Sequence, residues 1–235
     1  MPAKIIVALD VNTLDEAVRL VDATKAGADA YKVGSQLYAR RGPEAVKQLG
    51  EHGAKLFLDL KLHDIPNTVE QAAKAIAQMG VAMFTVHVSG GWDMMRAAVR
   101  GAHIGAEDAG LEDPITLGVT LLTSLDEKTL HDDLGCTRPL VEQVQHMAQM
   151  AAEAGCAGVV ASAHELKPVR EAVGDDVLIV TPGVRPEWAQ KHDQKRTMTP
   201  REASGAGADY LVIGRPITAH DDPAEALRLI RDELA

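Results

Sequence analysis

Five ionisable side chains stand at or beside the ends of three short apolar segments: Asp10, Lys32, Asp59, Lys61 and Asp64. Asp59 and Lys61 are two apart in Leu58-Asp59-Leu60-Lys61. In an extended chain that spacing turns both to one face and Leu60 to the other. On an enclosed face they would be an adjacent carboxylate and ammonium, joined by Asp10 and Lys32 from neighbouring segments. The result would be an alternating array of negative and positive groups in a confined space. An ion-pair network that only braces the fold is the plainer alternative. Buried charges are expensive unless paired very well, so stability alone is a weak reason to gather them. Clustered charge in a cleft points instead to catalysis.

A second group is Thr181-Pro182-Gly183-Val184-Arg185 with Gly214-Arg215-Pro216. Glycine lets the backbone come close and offer N–H groups to an anion. Arg215 suits a bidentate grip on phosphate oxygens, with Arg185 nearby. Surface arginines on ordinary glycine turns are the alternative here. His87 closes an apolar segment and is expected to line a pocket. There is no His-x-x-x-His helix pair and no Cys/His cluster, so no metal site is expected. Neither a Gly-x-x-x-x-Gly-Lys-Ser/Thr loop nor a Gly-x-Ser-x-Gly elbow occurs, which argues against an NTPase or an α/β-hydrolase. Cys136 and Cys156 form no Cys-x-x-Cys pair and read as reduced structural thiols of a cytosolic protein.

Something must hold these groups in register, and the chain repeats one local pattern. An amphipathic stretch ends at a glycine, and an apolar run begins a few residues later. Residues 26–34 and 206–214 show it most clearly, and 79–86 and 154–160 more loosely. The pattern reads as a helix stopped by a left-handed glycine, then a strand buried on both faces. Strands are expected at 4–9, 30–33, 55–60, 83–87, 115–120, 158–161, 178–181 and 210–213. Helices fill the gaps, among them one opened by a capping-box spacing at Thr13-Leu14-Asp15-Glu16 and others at 140–154 and 224–234. Eight strands alternating with helices predict a single (β/α)8 barrel domain over residues 1–235, with a doubly wound open sheet as the alternative. The long polar stretch 184–199 is expected to be a functional loop after strand seven.

Composition agrees with this. At 235 residues the chain is long enough for one barrel, and 46% apolar residues supply a core. A net charge of −10 and only 3% aromatics argue against nucleic-acid binding and against anionic membranes. No apolar run approaches a membrane span and no signal peptide is evident, so a cytoplasmic protein is expected.

The segment Leu58-Asp59-Leu60-Lys61-Leu62-His63-Asp64-Ile65-Pro66-Asn67-Thr68 resembles the Asp-x-Lys-x-x-Asp-Ile-x-x-Thr signature of orotidine 5′-phosphate decarboxylases. The resemblance covers nearly the whole chain. It takes in Ala8-Leu9-Asp10, Tyr31-Lys32-Val33-Gly34, Thr123-Ser124, Thr181-Pro182-Gly183-Val184-Arg185, Asp193-Gln194 and Val212-Ile213-Gly214-Arg215-Pro216. It implies decarboxylation of a pyrimidine nucleotide with no metal or organic cofactor. It further implies that Lys61 is the proton donor among Asp10, Lys32, Asp59 and Asp64, and that Thr123 contacts the pyrimidine. Gln194, Gly214 and Arg215, with Arg185 nearby, would hold the phosphate. Asp64, Ile65 and Thr68 would enter the neighbouring subunit's site, making the active unit a homodimer. Two rivals are a Mg-dependent barrel enzyme, a 3-hexulose-6-phosphate synthase or keto-gulonate-phosphate decarboxylase, and a non-catalytic phosphate-binding barrel. The Ile65-Pro66-Asn67-Thr68 continuation favours the orotidylate reading over the first, and retention of all five charged residues disfavours the second.

Overall fold

Short apolar runs become strands because both of their faces are covered, and helices form where the apolar period lengthens. The computed structural model describes residues 2–189 and 198–234. β1 (Lys4–Ala8) leads through α1 (Leu14–Thr24) to β2 (Ala30–Gly34). The helices α2 (Ser35–Arg41) and α3 (Pro43–Glu51) precede β3 (Leu56–Leu62), and α4 (Pro66–Gln78) leads to β4 (Met83–His87). Next come α5 (Trp92–Ala109), β5 (Ile115–Val119), α6 (Glu127–Asp132), α7 (Leu140–Glu153) and β6 (Gly158–Val160). Then follow α8 (Leu166–Val173), β7 (Leu178–Pro182), α9 (Pro200–Gly205), β8 (Tyr210–Ile213), α10 (Arg215–Thr218) and α11 (Pro223–Leu234). Every neighbouring pair of strands is parallel, and β1 pairs with both β2 and β8. The sheet therefore closes into a (β/α)8 barrel, and the open-sheet alternative is excluded.

Alternation along the strands sorts the core into two shells. Ile6, Ala8, Ala30, Phe57, Met83, Leu117, Val180, Tyr210 and Val212 fill the barrel interior. Their strand neighbours, such as Ile5, Val7, Val33, Leu58, Phe84 and Leu211, pack outward against the helices. The repeat at 26–34 and 206–214 has its own physical reason. Asp29 Oδ2 accepts the Ile5 N–H at 2.7 Å and Asp209 Oδ2 accepts the Ile179 N–H at 2.7 Å. Arg231 and Arg170 pair with these two carboxylates at 2.7 and 2.6 Å. Each Asp thus satisfies the N–H of a strand's second residue, at the end of the barrel remote from the charged cluster.

Two local expectations change. Gly80, Gly155 and Gly207 do take positive φ (72, 92 and 106°), but Gly27 does not. Gly27 is needed for space instead, since a Cβ there would lie 2.9 Å from Leu227 Cδ2 on α11. At α1 the Thr13 side chain accepts the Glu16 N–H, but the reciprocal half of the capping box does not form; the complete box is at Thr199 and Glu202, opening α9.

The helix that follows β3 is held unusually tightly. A Cβ on Gly101 of α5 would lie 2.2 Å from the Glu70 carbonyl oxygen of α4, and one on Gly105 would lie 2.3 Å from that of Lys74. Arg100 pairs with Glu70, and Lys74 with Asp108 at 2.7 Å, across the same contact. Ordinarily Gly→Ala inside a helix stabilises it by up to about 1 kcal/mol. Here the obstacle is backbone, so overpacking, at about 1–3 kcal/mol, should win. Gly101→Ala is expected to lower stability in urea unfolding; an unchanged or raised midpoint would show that α4 and α5 can separate freely.

Candidate active site

The charged residues converge at the C-terminal mouth of the barrel, where β1, β2 and β3 end. Asp10 follows β1, Lys32 lies on the inner face of β2, and Asp59 and Lys61 lie on β3. Lys32 Nζ is 2.9 Å from Asp10 Oδ1 and 3.6 Å from Asp59 Oδ2. Lys61 Nζ is 2.8 Å from Asp59 Oδ1. The order is Asp10, Lys32, Asp59, Lys61, with signs alternating and formal charges cancelling. The Lys32 and Asp59 side chains are only 12 and 13% exposed, so their pairing is little screened by solvent. Gly34 makes room for the array, because a Cβ there would sit 2.8 Å from Lys32 Nζ and 3.0 Å from Asp10 Oδ1.

Simple alternation does not explain how Lys61 gets there. Leu58 pairs with Phe84 and Leu62 with Val86, so four steps on β3 match two on β4. The intervening residues leave the ladder as a bulge. Within it Lys61 has φ 54°, and it alone among the described non-glycine residues has positive φ. That conformation costs about 1–3 kcal/mol for an L-residue, so its surroundings must hold it. The Lys61 N–H donates to Thr85 Oγ1 at 2.9 Å, and the Thr85 hydroxyl donates to Asp59 Oδ1 at 3.0 Å. Thr85 is 1% exposed. The sequence reading passed over Thr85, although alternation along β4 puts it on the inner face with Met83 and His87.

A cavity of about 280 Å³ opens beside the array. One side carries Lys32, Asp59 and Lys61; the other is apolar, with Val119, Val160, Val180 and Val212 from β5 to β8. Thr123 and Ser124 also line it. His87 lies beside the array, its ring 5.3 Å from that of His63. Neither thiol is placed for chemistry here: both cysteines are free, and burial pushes the Cys156 thiol up to about 12.

The second group lies across the barrel mouth. Gly183 takes φ 79° directly after β7, and Gly214 caps α10, which begins at Arg215. Arg215 is exposed, whereas Arg185 is 6% exposed. The Arg185 N–H donates to the Met198 carbonyl at 3.0 Å and joins the residues just after β7 to those just before α9. Trp188 meets His220 edge to face at 5.7 Å, joining the residues after β7 to the segment after α10. Gln194 lies outside the described residues. Asp64, Ile65 and Thr68 are all exposed; the Asp64 carboxylate accepts the Ile65 N–H at 2.7 Å and forms no ion pair among the described residues. The chain therefore brings together Asp10, Lys32, Asp59, Lys61 and Thr123 and leaves Asp64, Ile65 and Thr68 facing outward. Among the described residues no three His, Cys, Asp or Glu side chains gather as a metal site would require, and no helix is long and apolar enough to cross a membrane.

Comparison with known proteins gives one consistent relationship. The profile of the orotidine 5′-phosphate decarboxylase / HUMPS family matches residues 3–230. An orotidine 5′-phosphate decarboxylase of Heliobacterium modesticaldum is 48% identical over 232 residues, covering 99% of this chain and 96% of that one. One from Moorella thermoacetica is 48% identical over 231 residues, covering 98 and 92%. The crystal structure of an orotidine 5′-phosphate decarboxylase from Lactobacillus acidophilus superposes with a TM-score of 0.88 at 39% identity, covering 99% of both chains.

The electrostatics of the mouth can be checked at His87. Burial foremost, then His63 and Lys61, holds its imidazole below the ordinary 6.5, with Asp59 pulling the other way. The unfolded chain therefore takes up a proton that the folded protein refuses. Stability from neutral His87 is complete above pH 6.5 and is lost as pH falls toward the depressed folded value. Ring-proton NMR should show His87 titrating below 6.5; a midpoint at or above 6.5 would contradict the assigned environment.

Proposed function

The chain belongs to the orotidine 5′-phosphate decarboxylase / HUMPS family, and on that premise we propose that it converts orotidine 5′-phosphate to uridine 5′-phosphate and carbon dioxide, the last step of de novo pyrimidine nucleotide synthesis. The observation that carries the reading is the Lys61–Asp59 pair at 2.8 Å on the wall of a 280 Å³ cavity whose other wall is apolar. The C6–carboxylate bond breaks, carbon dioxide leaves, and the bonding pair stays on C6. That pair lies in the ring plane, where the π-system absorbs it poorly. Other decarboxylases use a cofactor as electron sink. Here the Lys61 ammonium supplies the positive charge beside C6 and then donates its proton there, leaving an amine that solvent reprotonates. Fixed charge in a water-poor pocket acts far more strongly than in bulk water. No metal or organic cofactor takes part.

The remaining roles are those that the family resemblance implies. Asp10 and Lys32 hold the array and face the ribose, and Asp59 orients Lys61 beneath the substrate carboxylate. Thr123 meets the pyrimidine from the rim. Gly214 and Arg215, with Gln194 and Arg185, hold the phosphate, and that remote binding energy serves the reacting centre. The enzyme is cytoplasmic and works as a homodimer. In support, Ile65 is 66% exposed at the edge of the mouth, a poor place for a large apolar side chain unless a second copy covers it. Asp64 and Thr68 flank it, and all three enter the neighbouring subunit's site.

The direct test is loss of orotidylate absorbance with and without EDTA. Turnover is expected in both, and none with folded Lys61→Ala. Loss on chelation would favour the Mg-dependent branch of the family, and activity in Lys61→Ala would remove the proton donor. Shared sites give a second test. Lys61→Ala and Asp64→Asn proteins, each inactive, should recover about a quarter of parental activity when unfolded and refolded together, because mixed dimers keep one intact site. No recovery would mean that Asp64 acts within its own subunit.

A further inference from the structure

The geometry points to Thr85 as a positioning residue that fixes Lys61 at both ends, an inference that rests on the decarboxylase reading and deepens it. A hydroxyl has one hydrogen to donate and lone pairs to accept with. Thr85 uses both: its oxygen takes the Lys61 backbone N–H at 2.9 Å, and its hydrogen goes to Asp59 Oδ1 at 3.0 Å. The same Asp59 oxygen takes the Lys61 ammonium at 2.8 Å. A closed ring of hydrogen bonds therefore runs from the Lys61 main chain through Thr85 and Asp59 to the Lys61 side chain. One end of the ring steadies the positive φ of 54° within the bulge. The other end fixes which Asp59 oxygen faces the ammonium. Thr85 is 1% exposed and sits on the more regular strand β4, so it is an anchor rather than a second moving part.

Two substitutions separate positioning from packing. Thr85→Val keeps the branched shape and removes the hydroxyl, while Thr85→Ser keeps the hydroxyl and removes a methyl. Positioning predicts activity in the order Thr, Ser, Val. The Val variant should lose roughly 10- to 100-fold in kcat, the scale expected when a catalytic group is misplaced by about an ångström. Its KM and its affinity for uridine 5′-phosphate should stay near parental values, since a group acting only on the reacting centre changes kcat alone. If Thr85 merely fills space, the order reverses, with Val near parental and Ser the poorer. Parental kcat in Thr85→Val, or equal losses in both variants, overturns the proposal. Should Thr85→Val fail to fold, a Ser variant weaker than about tenfold below parent in kcat overturns it as well. The parent protein is assayed alongside: no turnover of orotidylate by the parent would reject the decarboxylase reading itself, whereas a negative result on an active parent rejects only the role of Thr85.

Discussion

Everything at the mouth of this barrel depends on one bulge. Between Leu58 and Leu62 the third strand leaves the ladder, and the extra length turns Asp59 and Lys61 into the same space at 2.8 Å. A regular strand would put the two side chains on one face but hold their backbones in a fixed pleat. The bulge lets the ammonium fold back onto the carboxylate, at the expense of a left-handed residue. Charge-assisted hydrogen bonds, at about 1.5–3 kcal/mol each, are of the right size to offset that strain.

The rest of the barrel supplies what such a pair needs. Below it, Phe57, Met83, Leu117, Val180 and Tyr210 fill the interior and keep water out. Beside it, Lys32 and Asp10 extend the alternation of sign, so that two ammoniums and two carboxylates share the site without a net formal charge. A neutral array is tolerable in a half-buried position where a lone charge is not. Its members nevertheless present separate poles to a ligand. The opposite wall, built from valines of four strands, can receive the flat, less polar part of a pyrimidine.

Stability and chemistry occupy opposite ends of the molecule. Asp29 with Arg231 and Asp209 with Arg170 close the N-terminal ends of the strands, where each carboxylate satisfies a strand donor. At the C-terminal ends Lys32, Asp59 and Lys61 face a cavity. The close backbone contact of α4 with α5 links the two, because α4 begins directly after Asp64 and Ile65. Rigid packing behind that turn gives a fixed platform to the exposed Asp64 and Ile65.

Much of this was legible in the amino-acid order. The fourth and eighth strands fall at Met83–His87 and Tyr210–Ile213, residue for residue where continuous apolar runs put them. Strands buried on both faces write themselves that way. Asp10, Lys32, Asp59 and Lys61 stood out because charges at the ends of such runs need a reason. Other features were not local. Gly27 was read as a left-handed helix stop, yet it is a contact with Leu227, two hundred residues away. The positive φ of Lys61 depends on an acceptor on the next strand, and Thr85 is an ordinary strand residue until the register places it there. The outward direction of Asp64 follows from where α4 is pinned. Sequence patterns determine what each segment is, because burial and backbone preference act residue by residue. Which atoms come within 3 Å of one another was decided only when the sheet closed, because closure and register set distances between residues that share no neighbourhood along the chain.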